Sequence, residues 1–413
     1  MFFSLTTGDD MTIGVGGSDA QTELSQLKNM ASKVQPIQLV EYQQRINQAM
    51  AQMVKLGWDA MYIHAGTNLS YFTGTNWHPS ERMVGALLTA DGVLEYIAPH
   101  FEIGTLQGFM QVQGSVHGWQ EHESPYQVVQ QRCKKHGIKT IGLDETLPFF
   151  MFDGLKKVSP EAVFENGQWV SQFVRSRKSE HEIQLLQTAK DMTLQVHKAA
   201  ARILREGITT QEVTAFIHQA HQAVGAPKGS YFCIVLFGED TAYPHGVKTP
   251  KTLQHNDMVL IDTGCEVEKY KSDITRSYVF GEASDRQTSI WQAEKVAQAA
   301  AFKAAQLGQA CEVADIAARS YLASQGFGPD YQTPGLPHRT GHGIGMDIHE
   351  GPYLVRGDKT PLAVGMCFSN EPMLCVPGEF GVRLEDHFYM TADGPKWFTE
   401  PSHSIDDPFG QAV

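Results

Sequence analysis

Four acidic residues stand where an acid is costly. Asp262 ends the apolar run "MVLID", Asp273 opens "DITRSYVF", Glu371 falls between "VGMCFSN" and Pro372, and Glu385 lies within "GVRLEDHF". Each of these runs has the apolar and β-branched content of a strand. A carboxylate buried without a partner is unfavourable by several kcal/mol, so a fold that accepts these runs must pair the acids or bind them to cations. For any one acid a turn hydrogen bond would suffice. Four in one half of the chain ask for more. The connection from Asp262 to Asp273 is short and polar, so a hairpin-like pair is expected to set both carboxylates on neighbouring strands.

Between these acids runs "PHRTGHGIGMDIHEGP", Pro337 to Pro352. Its glycines allow tight backbone turns, and His342 adds one imidazole to the acid set. Four carboxylates gathered without cations would repel and raise one another's pKa. Two divalent ions about 3.5–4 Å apart would neutralise them and activate a shared hydroxide. Oxygen ligands with a single imidazole suit Mn, Co, Fe or Zn, with Mn²⁺ or Co²⁺ favoured for so oxygen-rich a site. The cysteines Cys133, Cys233, Cys265, Cys311, Cys367 and Cys375 form no CxxC pair, which disfavours a structural zinc site and fits reduced thiols in the cytoplasm.

The 413 residues suffice for two domains. A formal net charge of −13 offers no basic face to a phosphate backbone, so nucleic acid is not an expected partner. No window approaches the ~18 apolar residues of a membrane span. The first twenty residues carry Asp9 and Asp10 where a secretory leader would be apolar, so none is expected.

Residues 1–36, rich in Gly, Ser, Thr, Gln and Asp, are expected to form an irregular extension or a peripheral arm. Residues 37–172 alternate helical stretches (from Leu39 to a stop at Gly57, and "SPYQVVQQRCKKHG") with the strand-like "AMYIHA", "GALLTA", "VLEYIA" and "KTIGLD". That alternation predicts a compact α/β domain. From 173 to 413 a second domain is expected. Ser179 with Glu182 and Thr209 with Glu212 form capping-box patterns that open two helices, the first running to near Gly207. "EVTAFIHQA" at 212 and "EVADIAARS" at 312 echo one another, each after a long helix and before strands, as in a duplicated domain with its site at the junction.

The order "IDTG", "SDITR", "HRTGHGIGMDIHEGP", "SNEP", "GVRLED" resembles the pita-bread metallopeptidases, which include Xaa-Pro dipeptidase (prolidase), Xaa-Pro aminopeptidase, methionine aminopeptidase and creatinase. The resemblance is strong over about residues 178–413. Residues 37–172 resemble the N-terminal domain of the prolidase and creatinase branch. It implies an α+β fold, a pita-bread catalytic domain preceded by a smaller α/β, ribonuclease-H-like domain. It implies Asp262, Asp273, His342, Glu371 and Glu385 as ligands of two divalent ions, Mn²⁺ first, with Co²⁺ or Zn²⁺ as alternatives. Asp273 and Glu385 would bridge.

The same resemblance casts Glu371 as general base and acid. His245 of "AYPHG", His349 of "DIHEGP" and Arg383 become catalytic and substrate-contacting residues in metal-assisted peptide hydrolysis. His338 matches no role beyond a structural one, and Asp347 and Glu350 are assigned none. The substrates implied are small peptides with proline second, cut by a dipeptidase, or longer ones cut by an aminopeptidase, in a cytoplasmic homodimer. "FGEDTAYPHG" departs from the family's usual Ser-Gly-Pro-Asn type stretch at Phe237, Glu239, Asp240 and Tyr243, which leaves the ligands intact and bears on substrate preference. The loop "TNWHPSERM" is a candidate to meet a substrate terminus through Trp77, His78 and Arg82. A relative that kept the fold as a peptide-binding module would have lost ligands, whereas here all five stand.

Overall fold

In a computed structural model the structure describes residues 12–411. The absent leader is therefore an expectation that lies largely outside the described residues. The chain divides into two compact units, one of Pro36–Arg175 and one formed by the segment up to Gln35 with Ser176 onward. The expected extension is thus no separate body. Its short helix α1 (Ala20–Gln26) is capped by the Asp19 side chain. Its backbone is tied to the larger unit by Thr12 N–H to Gly281 O (3.2 Å), Gly16 N–H to Ala201 O (2.8 Å) and Met30 N–H to Val224 O (2.7 Å).

The smaller unit is a six-stranded mixed sheet with helices. Its elements are α2 (Leu39–Leu56), β1 (Ala60–His64), α3 (Thr67–Thr73), β2 (Gly85–Thr89), β3 (Leu94–Pro99), α4 (Ile103–Phe109), β4 (Ser115–Trp119), α5 (Pro125–Lys135), β5 (Thr140–Leu143), α6 (Phe149–Val158), β6 (Val163–Asn166) and α7 (Gln168–Ser176). The sheet order is β4-β3-β2-β1-β5-β6, with β1, β2 and β3 antiparallel and the other pairings parallel. Gly57 ends α2 in the left-handed region at φ 73°, where a side chain would be strained. Strands β4 and β6 escaped the sequence reading because they sit at the sheet's edges and are mostly not buried, so neither has a clean apolar pattern. In the Thr75–Met83 loop Arg82 is held by Glu121 through two N–H groups at 3.0 and 3.2 Å, and Trp77 packs edge-on to Phe109. Two of the three side chains expected to meet a substrate thus already have partners.

The larger unit repeats one plan. In its first half α8 (Glu180–Arg202) and α9 (Thr210–Val224) precede β7 (Phe232–Phe237), β8 (Met258–Gly264), the small hairpin β9 (Glu266–Val267) and β10 (Tyr270–Lys271), and β11 (Ile274–Val279). In the second, α10 (Asp285–Ala304) and α11 (Glu312–Ser324) precede β12 (Gly341–Gly343), β13 (Glu350–Leu354), β14 (Cys367–Asn370), β15 (Met373–Val376), β16 (Phe380–Arg383), β17 (Asp386–Thr391) and β18 (Gly394–Trp397). The echoed segments are α9 and α11, each the second helix of its pair. Both expected capping boxes form, Ser179 with Glu182 and Thr209 with Glu212. Helix α8 stops at Arg202, short of Gly207, and the buried Ile203 and Leu204 follow it. The sheets run β11-β8-β7 and β13-β12-β14-β17-β18. A shared core that includes Leu260, Val279, Trp291, Phe368 and Phe388 packs between helices and strands of both halves.

Candidate metal centre

Strand register brings the first two acids together. Asp262 on β8 lies opposite Thr275 on β11, and Asp273 stands two residues before Thr275, so all three side chains share one face. From the second half, His342 sits in β12, and Glu371 follows directly on β14. Glu385 does not lie within one strand, as its run predicted. It falls in the break between β16 and β17, where its N–H reaches Thr275 O at 3.1 Å and a β-bridge forms. That break lets the two halves meet at Thr275 and Glu385.

The resulting cluster is buried and short of donors. One ligand atom each from Asp273, His342 and Glu385 lies within 4.8 Å of the others, the spacing a single cation can span. His342 Nε2 is 3.8 Å from Asp273 Oδ2 and 3.0 Å from Glu371 Oε1. Oδ1 of Asp262 and Oδ1 of Asp273 are buried with no hydrogen-bond partner. Burial pushes the Asp273 carboxyl far above its ordinary range, and the charges of Glu385 and Asp262 push it further. Glu385 is likewise driven well up by burial and then by Glu371 and Asp262. Buried orphan oxygens facing like charges are what a divalent cation would satisfy, so the residues present fit a metal.

Neighbours aim the ligand atoms. His342 Nδ1 donates to Gly343 O at 3.0 Å, which turns Nε2 toward the acids, and its N–H donates to Ser369 Oγ. Ser369 Oγ in turn donates to Glu371 Oε1 at 3.1 Å, and Thr275 Oγ1 donates to Glu385 Oε2 at 2.7 Å. Burial raises Glu371, but the hydrogen bond and charge of His342 outweigh it and hold this carboxyl at about 2. Arg383 donates through Nη2 to Asp262 Oδ2 at 2.5 Å and through Nε to Thr275 Oγ1 at 3.0 Å. Burial opposes its charge, and the acids, Asp262 first, more than restore it.

The glycines of the His342 stretch are set by close strand packing. A Cβ on Gly341 would lie 2.1 Å from Ser369 O, and one on Gly343 2.6 Å from Glu350 O. Adjacent strands need that space, and His342 is seated by their closeness. His349 is exposed on one side while its ring meets that of His342 edge-on at 4.3 Å. Desolvation, then the His342 charge, lowers it to about 4, so it is neutral at pH 7. His245 is exposed on the stretch after β7 and lines a cavity of about 610 Å³ with His218 of α9. The charge of His245 also bears on His349. His338 turns Nδ1 to Arg339 O at 2.7 Å.

Three contributors were missed in the sequence. Thr275 and His387 each lie two residues beyond a candidate ligand, Asp273 and Glu385, and His387 Nε2 is 3.2 Å from Glu385 Oε1. Their period-two spacing was the available signal. Glu350, left without a role, is buried and pairs with Lys178 Nζ at 3.1 Å, while its other oxygen accepts Asp347 N–H at 3.0 Å. No local pattern announces that pair, because its members lie far apart in the chain.

Comparison with known proteins agrees with this architecture. Residues 45–176 match the creatinase/prolidase N-terminal domain and residues 184–392 match metallopeptidase family M24. A Xaa-Pro dipeptidase of Lactobacillus helveticus is 33% identical over 84% of this chain and 94% of its own length. The crystal structure of a dipeptidase from Mycobacterium ulcerans superposes with a TM-score of 0.83 at 30% identity, covering 90% of this chain and 99% of that one. An X-Pro aminopeptidase from Thermotoga maritima gives 0.74 at 25% identity, covering 87% and 98%. With matches along both units and a buried carboxylate–histidine cluster at the junction of the repeat, this chain belongs to metallopeptidase family M24 and carries that family's creatinase/prolidase N-terminal domain.

Proposed function

We propose that the chain is a metal-dependent Xaa-Pro dipeptidase, hydrolysing the bond before a C-terminal proline. In this reading Asp262, Asp273, His342, Glu371 and Glu385 would hold two divalent ions, Mn²⁺ by preference. The observation that carries it is the buried meeting of Asp273, His342 and Glu385 beside the orphan oxygens of Asp262 and Asp273. Bound divalent ions supply Lewis-acid polarisation of the peptide carbonyl and a nucleophile made from water at neutral pH.

The chain's own residues do the rest. Glu371 accepts the proton released from water and delivers it to the leaving imino nitrogen. His349 and His245 hydrogen-bond the carbonyl oxygen and the leaving group as charge develops. Arg383 holds Asp262, and the resemblance gives it a contact with substrate.

The dipeptidase reading rests on the curated relative named above and on Arg339. That guanidinium lies 4.3 Å over the Tyr353 ring, its charge reaches His349, and it has no carboxylate partner among the described residues. The terminal carboxylate of a dipeptide suits it. The aminopeptidase likeness keeps longer peptides as the second reading.

Six unpaired cysteines accord with a reducing, cytoplasmic setting, and no described helix is long and apolar enough to cross a membrane. A homodimer is the assembly proposed from the resemblance. The test sets Ala-Pro against Ala-Pro-Ala with Mn²⁺ and with a chelator. Chelator-sensitive cleavage of the dipeptide alone supports the reading, cleavage of the tripeptide moves it to aminopeptidase, and cleavage of neither sinks the peptidase.

A further inference from the structure

Helix α10 lays a polar stripe on the core. Gln287, Trp291, Glu294 and Gln298 recur at helical spacing and all are buried. Gln298 stands out by what it joins. Its Nε2, with two hydrogens shared among three acceptors, lies 2.9 Å from Leu384 O, 3.2 Å from Asp386 Oδ2 and 3.3 Å from Asn370 O. Leu384 immediately precedes Glu385, and Asn370 immediately precedes Glu371. One carboxamide therefore touches the peptide groups that launch both glutamates. Asn370 reciprocates by donating Nδ2 to Gln298 O at 2.9 Å. From the other half Arg276 donates to Glu385 O at 2.8 Å and to Asp386 Oδ1 at 2.7 Å, which closes the frame around the same segment.

We propose that Gln298 is a positioning residue that fixes Glu371 and Glu385 relative to each other and so sets the affinity of the site for divalent metal, an inference that rests on the metal reading given above. The β14–β17 ladder pairs Asn370 with Asp386, but Glu371 and Glu385 lie just beyond its end. A ladder end frays unless something ties it. The amide of Gln298 ties both chains there, in a site 2% exposed, where low local polarity strengthens the bonds. Residues that orient metal ligands from behind typically cost about 10- to 100-fold in metal affinity when replaced.

The test uses the full chain, stripped with a chelator, then titrated with Mn²⁺ alone by calorimetry. Thermal unfolding of the stripped protein is followed in parallel. Gln298→Met is compared with Gln287→Met, on the same helix, where the amide donates to Asn256 O at 2.9 Å, away from every proposed ligand. Both variants should lower the melting temperature of the stripped protein. Only Gln298→Met should weaken Mn²⁺ binding, by about 10- to 100-fold. If it fails to fold, Gln298→Asn, which keeps the amide but falls a methylene short, replaces it with a smaller weakening expected. Wild-type affinity in the Gln298 variant overturns the inference, as does a parallel loss in Gln287→Met, which would make both effects merely structural. Absence of Mn²⁺ binding by the unmodified chain would overturn this inference and the metal reading together.

Discussion

The smaller unit gives its buried acids hydrogen-bond donors, and the larger unit leaves some of its own without them. In the smaller unit Glu95 is almost inaccessible and fully answered. Arg132 grips it through two N–H groups at 2.6 and 2.8 Å, with His136, His117 and Lys135 within 3.5 Å. Asp144 accepts from His64 N–H, the Asn68 amide and Thr146. In the larger unit Asp262 and Asp273 each keep a buried oxygen with no donor, and Asp273 faces further acids. An acid whose lone pairs are all met by its own chain holds the fold together. A group of acids that the chain leaves unmet holds a place for a cation. The larger unit contains both kinds, since Glu350 with Lys178 and Asp386 with Arg276 are buried and paired. The contrast is thus between roles and not between halves of the sequence.

Asp273→Asn should draw that contrast most sharply. It keeps the shape and removes the charge that a metal needs, so kcat/KM on an Xaa-Pro dipeptide should fall by on the order of a thousandfold, roughly 4 kcal/mol of transition-state stabilisation. Steady-state kinetics with Mn²⁺ checks it, and a loss below tenfold would remove Asp273 from the site. Next comes Glu350→Gln, which strands the Lys178 ammonium in the interior. Breaking one side of such a pair should destabilise the metal-free protein by about 4 kcal/mol in urea unfolding. A change within 0.5 kcal/mol would mean that solvent already reaches this pair.

Glu95→Gln should cost the smaller unit about 3 kcal/mol by the same logic and leave metal binding alone. Its pH dependence has a definite sign. Burial raises the Glu95 carboxyl, but Arg132 and His136 outweigh burial and hold it at about 2, below its ordinary value near 4.5. Stability from a depressed carboxyl is complete above the unfolded-state pKa and lost as pH falls through the folded one. Acid unfolding of the unmodified chain should therefore draw on Glu95 between about pH 4.5 and 2. In Glu95→Gln that component should vanish, as fluorescence-monitored titration would register.

The same contrast explains what the sequence disclosed. Asp262, Asp273, Glu371 and Glu385 were legible because each interrupts an apolar run. The capping boxes at Ser179 and Thr209 and the stop at Gly57 were legible because they are local. The satisfied pairs were not. Lys178 with Glu350, Arg276 with Asp386 and Gln298 with Leu384 join residues separated by 86 to 172 positions, and each partner alone looks like an ordinary polar residue. Edge strands β4 and β6 were hidden because they are scarcely buried. Glu385 was placed within a strand because its neighbours are apolar, whereas its bond to Thr275 across the repeat sets its backbone.

The smallest effect is the most decisive for the contrast, because its sign is unusual. Asp273→Asn should stabilise the metal-free protein even though it removes about a thousandfold of the activity with Mn²⁺. In the absence of a cation the Asp273 carboxyl is opposed by burial and by the charges of Glu385, Asp262 and Glu371, in that order. An amide carries no charge to desolvate or repel, and its N–H can serve the neighbouring orphan oxygen of Asp262. A gain of about 1 kcal/mol in chelator is expected, against the loss expected for Glu95→Gln. With Mn²⁺ present the order should reverse, because the unmodified chain gains RT ln(1 + [L]/Kd) and the variant gains little. If Asp273→Asn destabilised the stripped protein as Glu95→Gln does, Asp273 would be an acid that its own fold satisfies, and the distinction between the two kinds would fail at its most critical residue.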